Sequence, residues 1–351
     1  MTLSLGHRCG WIVGLGLAWL PISAAENPPT ITADAPWMDT QGQEIQAQGG
    51  CVVQQGPRLF WYGMAFTSSG APQEVRCYTS SDLANWTSAG AVLNAPVGRR
   101  VRALVDGPTG RTRLFLRDRT TLRVFQAASP TGPFQPLASP TLLGAGDDGD
   151  VGVFAEADGG AWVAYRVPPA AGSAAAIVLA PLGQDGILGA VAAGLPTVNS
   201  QGATLTLESP AIWKRNDRYY ATAGGASGWA SSPTWVASAP ALIGPWSPWT
   251  KLARSMVCPQ MLTYDTFNSQ HNTICEVRGE QGSLFVYWGD RWSGFTGYGT
   301  GNYVVMPLDF DGDSLGLTWY RPWHPEVSQG TFTQELRRFS LWRDPAKKKV
   351  P

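Results

Sequence analysis

The chain has 351 residues, with 26 Lys+Arg balanced by 26 Asp+Glu, and zero net charge argues against a nucleic-acid polyanion as partner. Charged residues make up 15% of the chain and hydrophobic ones 44%, and 16 positions are Trp, a composition too apolar for disorder. The histidines are His7, His271 and His324, and neither an HExxH nor a paired CxxC spacing occurs, so little is at hand for a dedicated metal site.

The first element is a leader. MTLSLGHR carries one Arg, residues 9–23 are apolar, and Ser23-Ala24-Ala25 precede Glu26, the pattern of a secretory signal peptide cleaved after Ala25. The apolar run falls short of the roughly 20 residues of a membrane span. The expectation is a secreted or periplasmic protein with no membrane contact after signal removal. Loss of Cys9 leaves Cys51, Cys77, Cys258 and Cys275, an even number in an oxidising compartment. Sequence proximity favours Cys51 with Cys77 and Cys258 with Cys275 among three pairings, and four buried free thiols are the alternative.

Five aromatic, strand-like runs follow: LFWYGMAF from Leu59, RLFLR from Arg113, AWVAYRV from Ala161, RYYATAGG from Arg218 and LFVYWGDRW from Leu284. A Ser-rich turn leading to an aromatic recurs after several of them, ending at Trp86, Phe134 and Trp246. Short runs bounded by Gly, Pro, Asn and Asp, without sustained helical periodicity, predict a nearly all-β chain. Reuse of one unit every ~50 residues predicts propeller blades, one per aromatic run, hence a five-bladed β-propeller. A pair of β-sandwiches is the alternative. The predicted organisation is a signal peptide at 1–25, a single propeller at 26–335 and a tail at 336–351, whose basic end reads as solvated.

Convergence of blades on one axis brings distant residues together, which directs attention to the carboxylates. Glu208, in LTLESPAIWKR, sits among apolar neighbours where desolvation raises a carboxyl pKa, as a general acid requires. A rim glutamate without a role is the competing reading. Asp150 lies between a Gly/Asp-rich turn and a strand, where it faces either a pocket or solvent. The groups Asn268-Ser269-Gln270-His271 and Gly289-Asp290-Arg291-Trp292 set polar side chains beside aromatics, a composition suited to sugars.

In order from about Asp39 to Trp323, DTQGQEIQAQGG, LFWYG, SSDLANW, ASPTGPF, DVGVFAEADGGAWVAY, ESPAIWKRNDRYYATAGGASGW, NSQ, YWGDRW and NYVVMPLDF resemble the family 43 glycoside hydrolases, in the branch of exo-β-1,3-galactanases. The resemblance implies a five-bladed propeller that hydrolyses a glycosidic bond with inversion, its two reacting groups roughly 6.5–9.5 Å apart. It implies Glu208 as general acid, Asp150 as the carboxylate that tunes it, and Gln270, in place of a basic aspartate, as water holder in an unusual tautomer. Ser227 and Trp229 match a sugar-contacting hydroxyl and its aromatic neighbour. Gln48 stands where the family has a histidine, and it joins Asp290 and Arg291 as a substrate-binding candidate.

Two acidic sugar contacts of the family are replaced: Met64 takes the place of one, and Arg99-Arg100-Val101-Arg102 aligns with Glu-Arg-Pro-Lys. Each loss of a charge-assisted hydrogen bond removes about 1.5–3 kcal/mol. Arg99 either reads an anionic sugar by bidentate pairing or points to solvent. The implied activity is release of sugar from the end of a galactan or related plant glycan, a polysaccharide or oligosaccharide. The alternatives are a carbohydrate-binding propeller without turnover, and a clan relative using Asp39 as base. No metal is implied by the residues, while the resemblance leaves room for calcium on the propeller axis.

Overall fold

The computed structural model describes residues 28–32, 35–94, 98, 100–106, 109–118, 120–137, 139–143, 150–167, 176–253, 265–292, 303–312 and 314–334. The predicted leader, Arg99, Cys258 and the tail at 336–351 lie outside them.

Strands form where the aromatic and β-branched runs predicted them, joined by turns at residues that tolerate positive φ, such as Gly56 at 55° and Asn216 at 54°. Blade 1 comprises Gln48–Gln55, Arg58–Phe66, Pro72–Ser80 and Thr87–Leu93. Blade 2 comprises Val101–Val105, Thr112–Asp118, Thr121–Ala127 and Gln135–Pro136, with Thr141–Leu142 also pairing the third strand. Blade 3 has Val151–Ala155, Ala161–Val167, Ala176–Leu182 and Ala193–Gly194. Blade 4 has Leu207–Arg215, Arg218–Gly225, Thr234–Ala239 and Thr250–Lys251, and blade 5 has Gln270–Gly279, Gly282–Asp290, Tyr303–Asp311 and Ser314–Leu317. Each recurrent aromatic run belongs to the second strand of its blade.

The first strand of every blade touches the first strands of both neighbours, in the cyclic order 1-2-3-4-5-1. The protein is therefore a five-bladed β-propeller, not a pair of sandwiches. Its ends meet at a hairpin of Trp323–Glu326 and Thr331–Gln334, where Ile31 and Trp323 exchange backbone bonds of 2.9 and 3.2 Å.

Apolar clusters fill the gaps between blades. Trp61, fully buried, has the rings of Tyr303, Trp288 and Trp86 at 4.7, 4.9 and 5.3 Å, all edge-on. Such pairs add about 0.5–1.5 kcal/mol each beyond area burial. Innermost strands are buried on both faces, as at Leu207–Arg215, whereas the outer Thr87–Leu93 alternates.

The expected Cys51–Cys77 disulfide is not formed. Both cysteines are opposite Tyr62, on either side of it, so two strand spacings, about 9.5 Å, separate them. A disulfide needs Cα atoms within about 6.8 Å. Cys51, Cys77 and Cys275 are free and buried, and burial pushes the first two thiols up to about 12. The pairing of Cys258 with Cys275 falls on a residue outside those described.

Candidate active site

Glu208 is the second residue of the innermost strand of blade 4, and the strand is distorted just behind it. Glu208 pairs with Gly224, and regular pairing resumes only at Ala211 opposite Thr222. Pro210, which has no N–H to give to a ladder, occupies this bulge, and Ser209 adopts a left-handed φ of 52°. The kink turns the buried Ser209 hydroxyl onto Asp150 Oδ2, to which it donates. Close approach of the two strands depends on Gly152, where a Cβ would run into the Pro210 carbonyl.

Gln270 is placed by a second distortion. Thr266, Phe267 and Asn268 have φ values of 39°, 61° and 56°, a left-handed turn that non-glycine residues adopt only when surroundings impose it. Here the clamp is Arg291, which donates to the Phe267 carbonyl at 2.9 Å and the Asn268 carbonyl at 3.2 Å. Ser269 Oγ donates back to the Thr266 carbonyl at 2.6 Å.

These distortions bring Glu208, Asp150 and Gln270 together around Arg100, a residue the sequence reading did not single out. Arg100 Nε contacts Asp150 Oδ2 at 2.7 Å, its Nη2 donates to Gln270 Oε1 at 2.8 Å, and its Nη1 donates to Asn272 Oδ1 at 3.2 Å. Gln270 Nε2 in turn donates to Glu208 Oε1 at 2.7 Å and to the Gly228 carbonyl at 2.8 Å. A guanidinium only donates and a carbonyl only accepts, so the amide orientation is fixed from both ends. In this orientation Oε1 accepts from Arg100 and keeps a second lone pair for another partner. The spacing implied for an inverting pair is not seen, since Gln270 Nε2 lies 2.7 Å from Glu208 Oε1 and satisfies the half-buried carboxyl directly.

The Glu208 carboxyl is pushed up to about 7, first by burial and next by the Asp150 charge, against the opposing pull of Arg100, Arg166 and the Ser227 backbone. It is thus about half protonated at neutral pH and largely protonated below it. His271, beneath Gln270, is fully buried with Nε2 3.0 Å from Thr222 Oγ1, and desolvation holds it well below the usual imidazole range.

The remaining candidates separate. Trp229 lies beside the amide, its ring edge-on to Trp292 at 4.8 Å, and the Ser227 hydroxyl donates to the Ala230 carbonyl at 2.7 Å. Asp290 is 1% exposed, accepts from the Gly49 N–H at 3.1 Å, and burial pushes it up to about 6. Arg291 is buried in the turn it clamps. Gln48 is buried opposite Met64, and Met64 is packed in the apolar cluster of Phe60, Phe66 and Trp292. Asp39 Oδ1 accepts the Gln41 and Gln43 N–H groups at 2.9 Å, so this carboxylate caps its own turn. Among the described residues, the carbonyls that a calcium ion on the axis would need are taken. The Gly49, Gly50 and Asn272 carbonyls accept from the fully buried Arg102 at 3.2, 3.1 and 2.7 Å, and that cation already occupies them. Among the described residues no cluster of three or more His, Cys, Asp or Glu is arranged to hold a metal.

The model of Glycosyl hydrolases family 43 matches residues 113–312. No curated protein matches the chain. Among solved structures, an exo-β-1,3-galactanase from Clostridium thermocellum is similar at 26% identity and a TM-score of 0.73, over 89% of this chain and 70% of that one. An exo-β-1,3-galactanase from Phanerochaete chrysosporium, solved with β-1,3-galactotriose, is similar at 26% identity and a TM-score of 0.71, over 87% of this chain and 70% of that one.

Proposed function

The chain belongs to the glycosyl hydrolases of family 43, and on that footing we propose that it is an exported, inverting, exo-acting β-1,3-galactanase. It is a glycoside hydrolase; the stereochemistry, the substrate and export are the parts proposed.

The observation that carries the reading is the contact of Glu208 with Gln270 across the cup, with Asp150 close enough to raise the Glu208 pKa. Protonated Glu208 gives its proton to the leaving oxygen. Gln270 orients the attacking water through the second lone pair of Oε1, the first being taken by Arg100, and the proton this water sheds on adding to the anomeric carbon leaves to solvent, from which Glu208 is reprotonated. The bond breaks through an oxocarbenium-like state, for which a well-placed water matters more than a strong base. Entry of the terminal sugar must part the amide from Glu208, opening the space an inverting displacement needs. Trp229, half-buried, offers a ring face to the sugar C–H surface. The two galactanases of similar sequence favour β-1,3-linked galactan, and the leader pattern alone supports export.

The test is hydrolysis of β-1,3-, β-1,4- and β-1,6-linked galactans followed by proton NMR. Galactose should appear from the β-1,3 polymer first as the α-anomer, and Glu208→Gln should lower kcat on the order of 10³-fold. Initial β-anomer, or equal rates for both proteins, rejects the mechanism. The burial of Met64 where a sugar-contacting acid was expected favours a second reading, a propeller that binds glycans without cutting them. Saturable binding with no turnover on any galactan would establish it.

A further inference from the structure

We propose that Arg100 is the positioning residue of this site: its guanidinium holds Gln270 in one amide orientation and ties it to Asp150, so that the water-facing oxygen and Glu208 keep their places through turnover. This rests on the reading of Glu208 and Gln270 as the reacting groups.

Three features support it. Arg100 joins the two walls of the cup, since Asp150 precedes the innermost strand of blade 3 and Gln270 begins that of blade 5, and it contacts both within 2.8 Å. It is 5% exposed, with its guanidinium carbon 5.7 Å from the Trp292 ring centre, so it cannot swing away into solvent. Its contacts are also directional. Nε faces a carboxylate, Nη2 an amide oxygen, and Nη1 the Asn272 amide oxygen and the His271 carbonyl at 3.2 and 3.3 Å, with Asp290 Oδ2 at 3.7 Å. An ammonium supplies the same charge without the planar fork that serves these partners together. Were the Gln270 amide to flip, its N–H groups would confront the guanidinium and its oxygen would confront the Gly228 carbonyl.

Arg100 also acts on Glu208 through space. The charged groups around Glu208 are Asp150, Arg100 and Arg166, with hydrogen bonds from Gln270 and the Ser227 backbone. Removing the Arg100 cation leaves the Asp150 charge less opposed, so the Glu208 midpoint moves upward.

The experiment compares wild type, Arg100→Lys and Arg100→Met in the full chain by two measurements. One is the pH profile of kcat and KM on β-1,3-galactan. The other is a carboxyl titration by 13C NMR, with the Glu208 resonance identified by its loss in Glu208→Gln. For Arg100→Met we expect kcat to fall on the order of 10²-fold, the effect of a displaced reacting group, and the Glu208 midpoint to rise. For Arg100→Lys the midpoint should stay near wild type while kcat remains depressed, and this variant decides the matter if Arg100→Met does not fold. Folded variants with wild-type kcat and an unmoved midpoint overturn the proposal. If wild type itself cuts no galactan, the substrate reading fails. The titration alone then decides Arg100: an upward shift in Arg100→Met supports its place beside Glu208, and an unmoved midpoint removes it.

Discussion

The wall of the cup contributed by blades 3, 4 and 5 and the wall contributed by blade 1 are built on opposite principles. On the first, strands are bent out of register at Glu208 and Ser209, the chain turns left-handed at residues 266–268, and the polar side chains are joined through Arg100. On the second, a bulge also lies between Gln48 and Cys51, opposite Met64 and Tyr62, but here the side chains of Phe60, Tyr62, Met64 and Phe66 close an apolar cluster with Trp292. Backbone distortion thus occurs on both walls, and what differs is the side chains it presents, a hydrogen-bonded polar network on one and a packed apolar cluster on the other. The wall that in the resembling family reads sugar hydroxyls has here become core.

The largest expected effect tests whether blade 1 still belongs to the site. Met64→Glu, which restores the acid of the family, should destabilise the fold by about 4 kcal/mol at pH 7, because a carboxyl buried among Phe60, Val75 and Trp292 must fold neutral, at 1.36 kcal/mol for each pH unit above its free pKa of about 4.3. Urea unfolding at pH 7 measures it. A stable Met64→Glu protein with faster galactan turnover would erase the contrast, since this wall would then be a latent sugar contact.

A smaller effect, of opposite sign, is expected on the polar wall. Glu208 titrates near 7 in the folded protein against 4.5 when unfolded. The raised value means that its protonated form favours folding below pH 4.5 and that this contribution is lost as pH rises through 7. The cost at pH 8 is about 3 kcal/mol. Glu208→Gln should therefore gain stability over wild type between pH 4 and pH 8, while losing activity. If the stability difference is the same at both pH values, Glu208 is not held neutral by this wall.

The two walls also differ in how much of them the sequence discloses. The aromatic second strands announce the blades because Trp61, Tyr62 and Trp288 must pack between sheets, and burial of that kind needs only residue type and period. Glu208, Asp150 and Gln270 were found through ordered motifs. Arg100 was passed over in favour of Arg99, for a physical reason: Arg100, Val101, Arg102 and Ala103 are all buried, so the alternation that separates an inward arginine from an outward one is absent on an innermost strand. The period-2 relation of Arg100 and Arg102, which places both on one face, was the available signal. Asp290 and Arg291 read as sugar contacts in the sequence, while in the structure Asp290 accepts from the Gly49 N–H and Arg291 clamps a turn, because a polar residue beside Trp looks the same in sequence in either setting.

The smallest effect is a predicted bond that should be missing from the blade 1 wall. Cys51 and Cys77 face the same apolar cluster from either side of the Tyr62 strand, and joining them would require drawing together two strands that the middle strand holds apart. A disulfide across such a loop contributes about 3 kcal/mol when geometry permits, yet here it would have to break the ladder of Arg58–Phe66, and the ladder prevails. Alkylation of the denatured, unreduced protein followed by mass spectrometry should find both thiols modified, whereas alkylation of the native protein should modify neither, since burial holds both well above the pH at which thiolates form. A linked Cys51–Cys77 peptide would mean that the middle strand yields. The apolar wall would then be deformable enough to rebuild a sugar contact, and the division between a polar, proton-handling wall and an apolar, packed one would have to be redrawn.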